Sequence, residues 1–251
     1  MSLSKSQARS GRNIFTSINT VTIGLFFILI STVGLVVATR QQEANVHRAN
    51  ELNGILADKG GPFVNYLLVG SDSRAGIDAN ELKTEHFGTV DGRRSDTVMI
   101  LHVDNELGTA SIMSLPRDLW VDVPGHGKDR LNSAYSHGAD VLVNTIQGSL
   151  GIPLNHYIEV DFASFKNIVN ALGGVDICFE YPTRDINTGL NVPAPGCYTL
   201  DQYQSLAYAR SRYYEVFRDG LWDIDGRADL GRIERQQIFL QAAISKAIEQ
   251  T

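Results

Sequence analysis

The sequence predicts an α/β domain, a mixed central sheet covered by helices on both faces, carried behind one membrane span. Three observations point there. Short apolar runs of strand length, each delivering a polar loop, alternate with stretches whose apolar residues recur every three to four positions. Two of the runs, "DTVMILHVD" and "TASIMSLP", are separated only by "NELG" and read as an antiparallel hairpin, so the sheet is not purely parallel. From Asn13 to Thr39 no residue is charged, and "IGLFFILISTVGLVVA" with its flanks is long enough to cross a hydrocarbon layer of roughly 30 Å.

Taken in order, residues 1–17 read as a tail, 18–39 as the span, 40–61 as a stalk and 62–251 as the main domain. The span is longer than the apolar region of a signal peptide, and its exit "VVATRQQ" is a poor cleavage site, which favours an uncleaved anchor over a removed leader. Lys5, Arg9 and Arg12 precede it without an acid, whereas Arg40, Arg48 and Lys59 beyond it are offset by Glu43, Glu51 and Asp58. That bias leaves the N-terminus in the cytoplasm and exports the domain. Gln41 to Leu56 reads as a polar helical stalk broken by "DKGGP".

Within the domain, "VNYLLVG" is a buried strand ending in "GSDSR", and the hairpin follows it. "GADVLVNTIQGSL" is an amphipathic helix, "HYIEVD" a strand, "FASFKNIVNALGG" a second helix closed by glycines, and "VDICFE" another strand. A connector rich in Pro, Gly and Asn, "YPTRDINTGLNVPAPG", leads to a helix from Asp201 to Arg210 and to a last helix starting near Asp229.

The formal charge of −6 becomes −9 once the three N-terminal cations are set aside. Such a surface repels nucleic acid, so any anion site must be a local gathering of arginines. The two cysteines, Cys178 and Cys197, lie in the exported part, where a disulfide is favoured over two separate buried thiols. No CxxC or histidine pair accompanies them, which argues against a zinc site.

Four polar sets sit at the ends of expected elements, where α/β folds place their sites. Asp72 and Arg74 follow the first strand, and Arg93, Arg94 and Asp96 precede the next. Two aspartates flanking neighbouring strands could hold a hard cation through oxygen ligands, although an Asp at a strand start is also a common turn residue. The third set is Arg117 after Pro116, with Lys128 and Arg130 in the glycine-containing loop beyond; surface ion pairs are the plainer alternative for each.

The fourth set joins "YARSRYYEVFRDG" to "DLGRIERQQ". In an extended segment Arg210 and Arg212 would point the same way. On a helix Asp229, Arg232 and Gln236 lie at the edge of the apolar stripe of Ile233, Leu240, Ile244 and Ala247, while Glu234 and Arg235 suit a solvated face. Arginine fits a half-buried edge because its planar guanidinium grips phosphate oxygens bidentately. There is no G-x-S-x-G elbow, no H-E-x-x-H and no phosphate loop ending in G-K-[ST]. The natural class is therefore chemistry by charge neutralisation and positioning of phosphate.

Together "GSDSR", "RSDT", "SLPRD", "RLNSAYSHG", "LGGVDIC", "YARSR" and "DLGRIERQQ" resemble, in order, the motifs of the LytR-CpsA-Psr family of envelope proteins, over most of Asn65 to Gln237. The resemblance implies a three-layer α/β/α sandwich that binds a polyprenyl-pyrophosphate-linked glycan and transfers the phosphoglycan to peptidoglycan. Asp72 and Asp96 would hold magnesium or manganese, and Arg94, Arg117, Arg210, Arg212, Arg232 and Gln236 would grip the pyrophosphate. Arg117, Asp229 and Arg232 would act in catalysis, with Asp229 orienting an arginine or assisting at the acceptor hydroxyl. A hydrolase of the same pyrophosphate, or a non-catalytic sensor of lipid-linked precursors, would use the same clamp. The lipid tail needs a dry cleft, for which Val141, Ile146, Leu150, Phe162, Phe165 and Ile168 are candidates, although core packing explains most of them.

The chain resembles the actinobacterial branch in its cysteine pair and in its long connector between Arg212 and Arg232. Arg218 and Arg227 there are either further phosphate ligands or part of a solvent-facing flap, and the flap is favoured. The sequence ends within the last helix, at "AISKAIEQT", where many relatives continue.

Overall fold

A computed structural model describes residues 49–58, 61–73 and 95–250, with only the backbone of Asp96. The tail, the span and Arg94 lie outside these residues. The chain enters through a 3-10 turn, Asn50–Leu52, and the expected polar stalk is already docked there. Leu52 is buried against the same core as Leu154, and the Gln147 side-chain amide donates to the Ile55 carbonyl at 3.1 Å. Leu52, Ile55 and Leu56 are apolar enough to find that core, so this segment folds onto the domain instead of projecting as a helix.

Strands β1 (Phe63–Ser71), β2 (Ser95–Asp104) and β3 (Thr109–Leu115) pair antiparallel in sequence order, and the β2–β3 hairpin is the one that the two apolar runs and the "NELG" turn predict. β4 (Trp120–Val123) and β5 (Gly127–Arg130) make a separate hairpin, followed by helices α1 (Leu131–His137) and α2 (Ala139–Leu150). Strand β6 (His156–Val160) then lies parallel beside β1, which completes a mixed sheet in the order β3-β2-β1-β6.

Period two along the strands sorts the two faces of that sheet. Leu67, Val69, Val98 and Ile100 share a core with Ala134 and Tyr135 of α1 and Leu142, Val143 and Ile146 of α2. On the other face Leu101 and Val103 form a smaller cluster with Tyr66, Leu68, Ala110 and Ile112, all four only half buried.

A second core gathers the remaining elements. α3 (Phe162–Ala171) begins at Asp161, whose carboxylate accepts the Ser164 amide at 2.7 Å as an N-cap. β7 (Val175–Phe179) pairs with β10 (Gly196–Leu200), and α4 (Gln202–Arg210) starts on an Asp201 cap. Cys178 and Cys197 are directly opposite in the β7–β10 register and form a disulfide. Val169, Val175, Ile177, Phe179, Ala207 and Tyr208 are buried here together with Phe239 and Ala243 of α5 (Ala228–Glu249). At its N-terminal end α5 also reaches the first sheet, where the Gln237 side-chain amide donates to the Ser114 hydroxyl at 2.9 Å.

The connector is more structured than its composition suggests. It contains β8 (Thr183–Asp185) and β9 (Leu190–Val192), which with β11 (Glu215–Arg218) and β12 (Leu221–Ile224) build a sheet in the order β12-β11-β8-β9. The expected flap between Arg212 and Arg232 is thus a hairpin paired to β8.

Candidate active site

The site assembles where β1 ends and β2 begins. Gly70 pairs with Thr97 but Ser71 pairs with Ser95, so Asp96 is the extra residue of a β-bulge. A bulge re-aims a strand locally, and this one sets the backbone of Asp96 across from the chain leading to Asp72. Gly70 is required opposite it, because a Cβ there would meet the Cβ of Thr97 at 2.9 Å. Of the two carboxylate positions read from the sequence, Asp72 thus follows the last residue of β1 and Asp96 is the bulge of β2.

Beneath them lies a hydrogen-bonded group that sequence reading missed. The Tyr135 hydroxyl lies 3.0 Å from the Ser71 hydroxyl and 2.6 Å from Glu159 Oε1, and Tyr157 donates to Glu159 Oε2 at 2.6 Å. The Ser71 hydroxyl in turn accepts the Ser73 amide at 3.2 Å, so the chain on both sides of Asp72 is anchored through Ser71 to α1 and β6. Glu159 was hidden because it reads as an ordinary alternating strand residue.

Asn132, at the start of α1, ties in Arg117. Its side-chain carbonyl accepts the Ser95 amide at 3.2 Å and its own amide donates to the Arg117 carbonyl at 2.9 Å. The turn after β3 is therefore fastened to the first residue of β2. The Arg117 guanidinium, about a quarter exposed, stands 3.5 Å from Asp118. Arg130 pairs with the same carboxylate at 3.5 Å from an exposed position, and Lys128 is exposed, as the surface reading of both expects.

Arg210 and Arg212 do not share an extended segment. Arg210 is the last residue of α4, with its guanidinium 4.9 Å above the Phe162 ring, whereas Arg212 lies past the helix end and 3.6 Å from Asp229. Ser211 between them is fully buried. Its hydroxyl donates to Asp185 Oδ2 at 2.6 Å, and the same oxygen accepts the Arg212 and Tyr213 amides at 3.2 and 3.0 Å. On its other side the Ser211 carbonyl accepts Arg235 Nη2 at 2.7 Å.

Arg235 is thus a buried structural cation and not part of a solvated face. It pairs with Asp225 at 3.2 Å and stacks 4.3 Å over Tyr214, while Glu234 stays exposed and pairs with Arg227. The hairpin supplies Asp225 and Tyr214, and helical periodicity could not reveal them. Arg227 is tied to Asp225 at 2.9 Å and Arg218 lies 4.2 Å over Tyr181, which places both in the hairpin's own contacts.

Asp229, Arg232 and Gln236 follow one another along α5 as the sequence predicts. Arg232 is 2% exposed and its Nη2 lies 2.7 Å from Asp229 Oδ1. Gln236 differs from expectation. Its side-chain nitrogen donates to the Thr97 hydroxyl at 2.8 Å and to the Ala209 carbonyl at 3.0 Å. A carbonyl only accepts, so the amide nitrogen must face it, and both amide hydrogens are engaged. Gln236 joins α4, α5 and β2, leaving its oxygen, an acceptor, for anything else.

The lining expected from α2 and α3 is mostly core. Ile146 is fully buried, Val141 and Leu150 pack against the first core, Phe165 stacks on Phe239 at 5.1 Å, and Ile168 is exposed. Only Phe162 stands at the site, under Arg210. The half-buried apolar surface is instead the second sheet face, Tyr66, Leu68, Ala110 and Ile112.

Burial raises the phenols of Tyr208 and Tyr214 above the ordinary tyrosine range, so both are neutral neighbours of the buried cation Arg235. The side-chain hydrogen bond from Arg227 holds the Asp225 carboxyl below the usual carboxylate range. Among the described residues no group of three or more His, Cys, Asp or Glu is placed to hold a metal. The donor set at Asp72 and Asp96 is all oxygen, which suits magnesium when phosphate and water complete the shell.

The LytR_cpsA_psr family model matches residues 29–251. LcpB of Corynebacterium glutamicum, a probable cell wall biosynthesis protein, is 35% identical over 187 residues, 73% of this chain and 42% of its own length. TagT of Bacillus subtilis, a polyisoprenyl-teichoic acid–peptidoglycan teichoic acid transferase, is 34% identical over 178 residues, 68% of this chain and 51% of its own length. The chain thus spans about half the length of the curated relatives it matches. A TagT structure with bound octaprenyl pyrophosphate superimposes with a TM-score of 0.56 at 28% identity, covering 82% of this chain and 71% of that one. A LytR-Csp2A-Psr enzyme from Actinomyces oris gives a TM-score of 0.59 at 30% identity, covering 73% and 60%.

Proposed function

The chain belongs to the LytR-CpsA-Psr family, and from that premise we propose that it is a membrane-anchored, magnesium-dependent phosphotransferase that moves a phosphoglycan from a polyprenyl-pyrophosphate carrier to peptidoglycan. What supports this reading is that Arg212 and the buried Arg232 share Asp229 on α5, whose Gln236, one turn beyond Arg232, reaches Thr97 opposite Gly70 of β1, while the backbone of Arg117 is tied through Asn132 to Ser95 and Arg210 lies two residues from Arg212. Four guanidiniums in an otherwise acidic chain fit a ligand with two linked phosphates.

Transfer requires an acceptor hydroxyl to attack the phosphorus that carries the glycan, forming a new P–O bond as the pyrophosphate bridge breaks. Polyprenyl phosphate then leaves with the bridging oxygen and its growing charge. Magnesium, held by Asp72 and Asp96, would neutralise part of that charge. The arginines do the same by hydrogen bonding, and they act most strongly where the site excludes water. Arg232 fits the inner position because it is already desolvated, and Arg117 and Arg212, both partly exposed, fit the mouth.

Asp229 bridges Arg232 and Arg212, and its partial exposure lets it accept the hydroxyl proton as the acceptor attacks. The half-buried apolar patch of Tyr66, Leu68, Ala110 and Ile112 on β1–β3 suits an isoprenoid tail.

The test is incubation of the detergent-solubilised full chain with magnesium, a polyprenyl-pyrophosphate glycan and peptidoglycan fragments. Phosphoglycan joined to the peptidoglycan, with polyprenyl phosphate released, supports the reading. Intact substrate that binds tightly would instead make the protein a sensor.

A further inference from the structure

Asp185 lies in β8, outside every motif that suggests the function, yet it is fully buried and organises the turn that carries the arginines. Three donors converge on one of its oxygens: the Ser211 hydroxyl at 2.6 Å and the Arg212 and Tyr213 amides at 3.2 and 3.0 Å. The other oxygen accepts the Asn187 amide at 2.9 Å.

Helix α4 stops at Arg210, and the chain must turn at once to bring Arg212 against Asp229 while Arg210 remains over Phe162. The first amides beyond a helix end have no ladder to join, and here the buried carboxylate replaces it. Ser211 is held from two sides, its hydroxyl by Asp185 and its carbonyl by Arg235.

We infer that Asp185 is a positioning residue for phosphate binding: it acts through the Ser211–Tyr213 backbone to set the Arg212 guanidinium, and it does not itself touch the substrate. The inference rests on the reading of the arginines as a pyrophosphate site. It also explains why a carboxylate is needed. An asparagine of the same size has one oxygen and one NH2 group, and in either orientation the NH2 faces backbone or hydroxyl donors. The turn would then lose its anchor although the cavity stays filled.

The experiment is a double-mutant cycle on the full chain in detergent, reading the Kd for a short-chain polyprenyl pyrophosphate and kcat and KM for turnover. Asp185→Asn should weaken binding and lower kcat/KM by about tenfold to a hundredfold, the scale expected when a charged group is misplaced by about an ångström. In an Arg212→Ala background the same substitution should have almost no further effect. Ser211→Ala, which removes one donor and keeps both amide bonds, should give a smaller loss that is also absorbed by Arg212→Ala.

A purely structural role would give losses that multiply with that of Arg212→Ala and track the melting temperature, and this outcome would overturn the inference. Asp185→Asn and Ser211→Ala that both bind and turn over like the parent would also overturn it. If the parent chain binds no pyrophosphate lipid, the functional reading itself fails and the inference falls with it.

Discussion

Asp229 Oδ1 lies 2.7 Å from Nη2 of Arg232, one helical turn away, and the pair joins a partly exposed carboxylate to a guanidinium that is almost entirely buried. A buried cation without an anion costs several kcal/mol, and Asp229 offsets the charge of Arg232. The same carboxylate lies 3.6 Å from Arg212, and one acid thus balances both arginines.

Asp229→Asn should separate binding from chemistry. Removing a competing anion should let polyprenyl pyrophosphate bind at least as tightly as it does to the parent, whereas turnover should fall by about a hundredfold if the acid accepts the acceptor proton. Calorimetry of binding beside steady-state turnover checks this. A parallel loss of both would show that Asp229 only supports the fold.

Gln236→Ala should act on stability more than on phosphate affinity. It leaves the Ala209 carbonyl and the Thr97 hydroxyl without their donor, a loss of about 1–3 kcal/mol. Thermal melting should show the shift, and the Kd for pyrophosphate lipid should rise much less than in Arg210→Ala. Equal losses of affinity would return Gln236 to the phosphate site.

The β11–β12 hairpin should loosen in acid. Hydrogen bonding from Arg227 lowers the Asp225 carboxyl, so its contribution is complete above the unfolded value of about 3.9 and is lost as pH falls through the lower folded value. Hydrogen exchange of amides 215–224 should accelerate below about pH 4 while the β1–β2 amides remain protected. Asp225→Asn should show the faster exchange already at neutral pH.

Reduction of Cys178–Cys197 should lower stability without dissolving the site. The bridge joins paired strands 19 residues apart in sequence and lies in β7 and β10, outside the elements that carry the arginines. A loop of that size is worth about 3 kcal/mol. Melting with and without reductant measures the effect, and pyrophosphate affinity below the melting transition should be unchanged.

The first sheet was legible because each strand announces itself. Val69, Val98 and Ile100 lie in short apolar runs of strand length, and "NELG" leaves room only for a tight hairpin. Asp229, Arg232 and Gln236 were legible because helical spacing fixes neighbours three and four residues apart.

Contacts set by the connector escaped the same reasoning. Arg235 looked solvent-facing on α5, but Asp225 and Tyr214 approach it from a hairpin whose fold no periodicity specifies. Asp185 sits in a three-residue strand inside a stretch whose Pro, Gly and Asn read as loop. Helix α4 ends at Arg210, where the sequence predicts it, but nothing in the spacing revealed the turn that Ser211 makes onto Asp185. For Gln236, residue type suggested phosphate, and only the positions of Thr97 and Ala209 showed where its hydrogens go.

The central claim is transfer by an arginine clamp, and the fate of the glycan tests it most directly. The full chain would be incubated with a polyprenyl-pyrophosphate glycan, magnesium and peptidoglycan fragments, and the products followed by mass spectrometry beside Arg117→Ala and Arg210→Ala. The account predicts phosphoglycan joined to the peptidoglycan sugar, with polyprenyl phosphate released, and no product from either folded variant. Glycan released only as the free phosphate ester, or product formed undiminished by both variants, would contradict it.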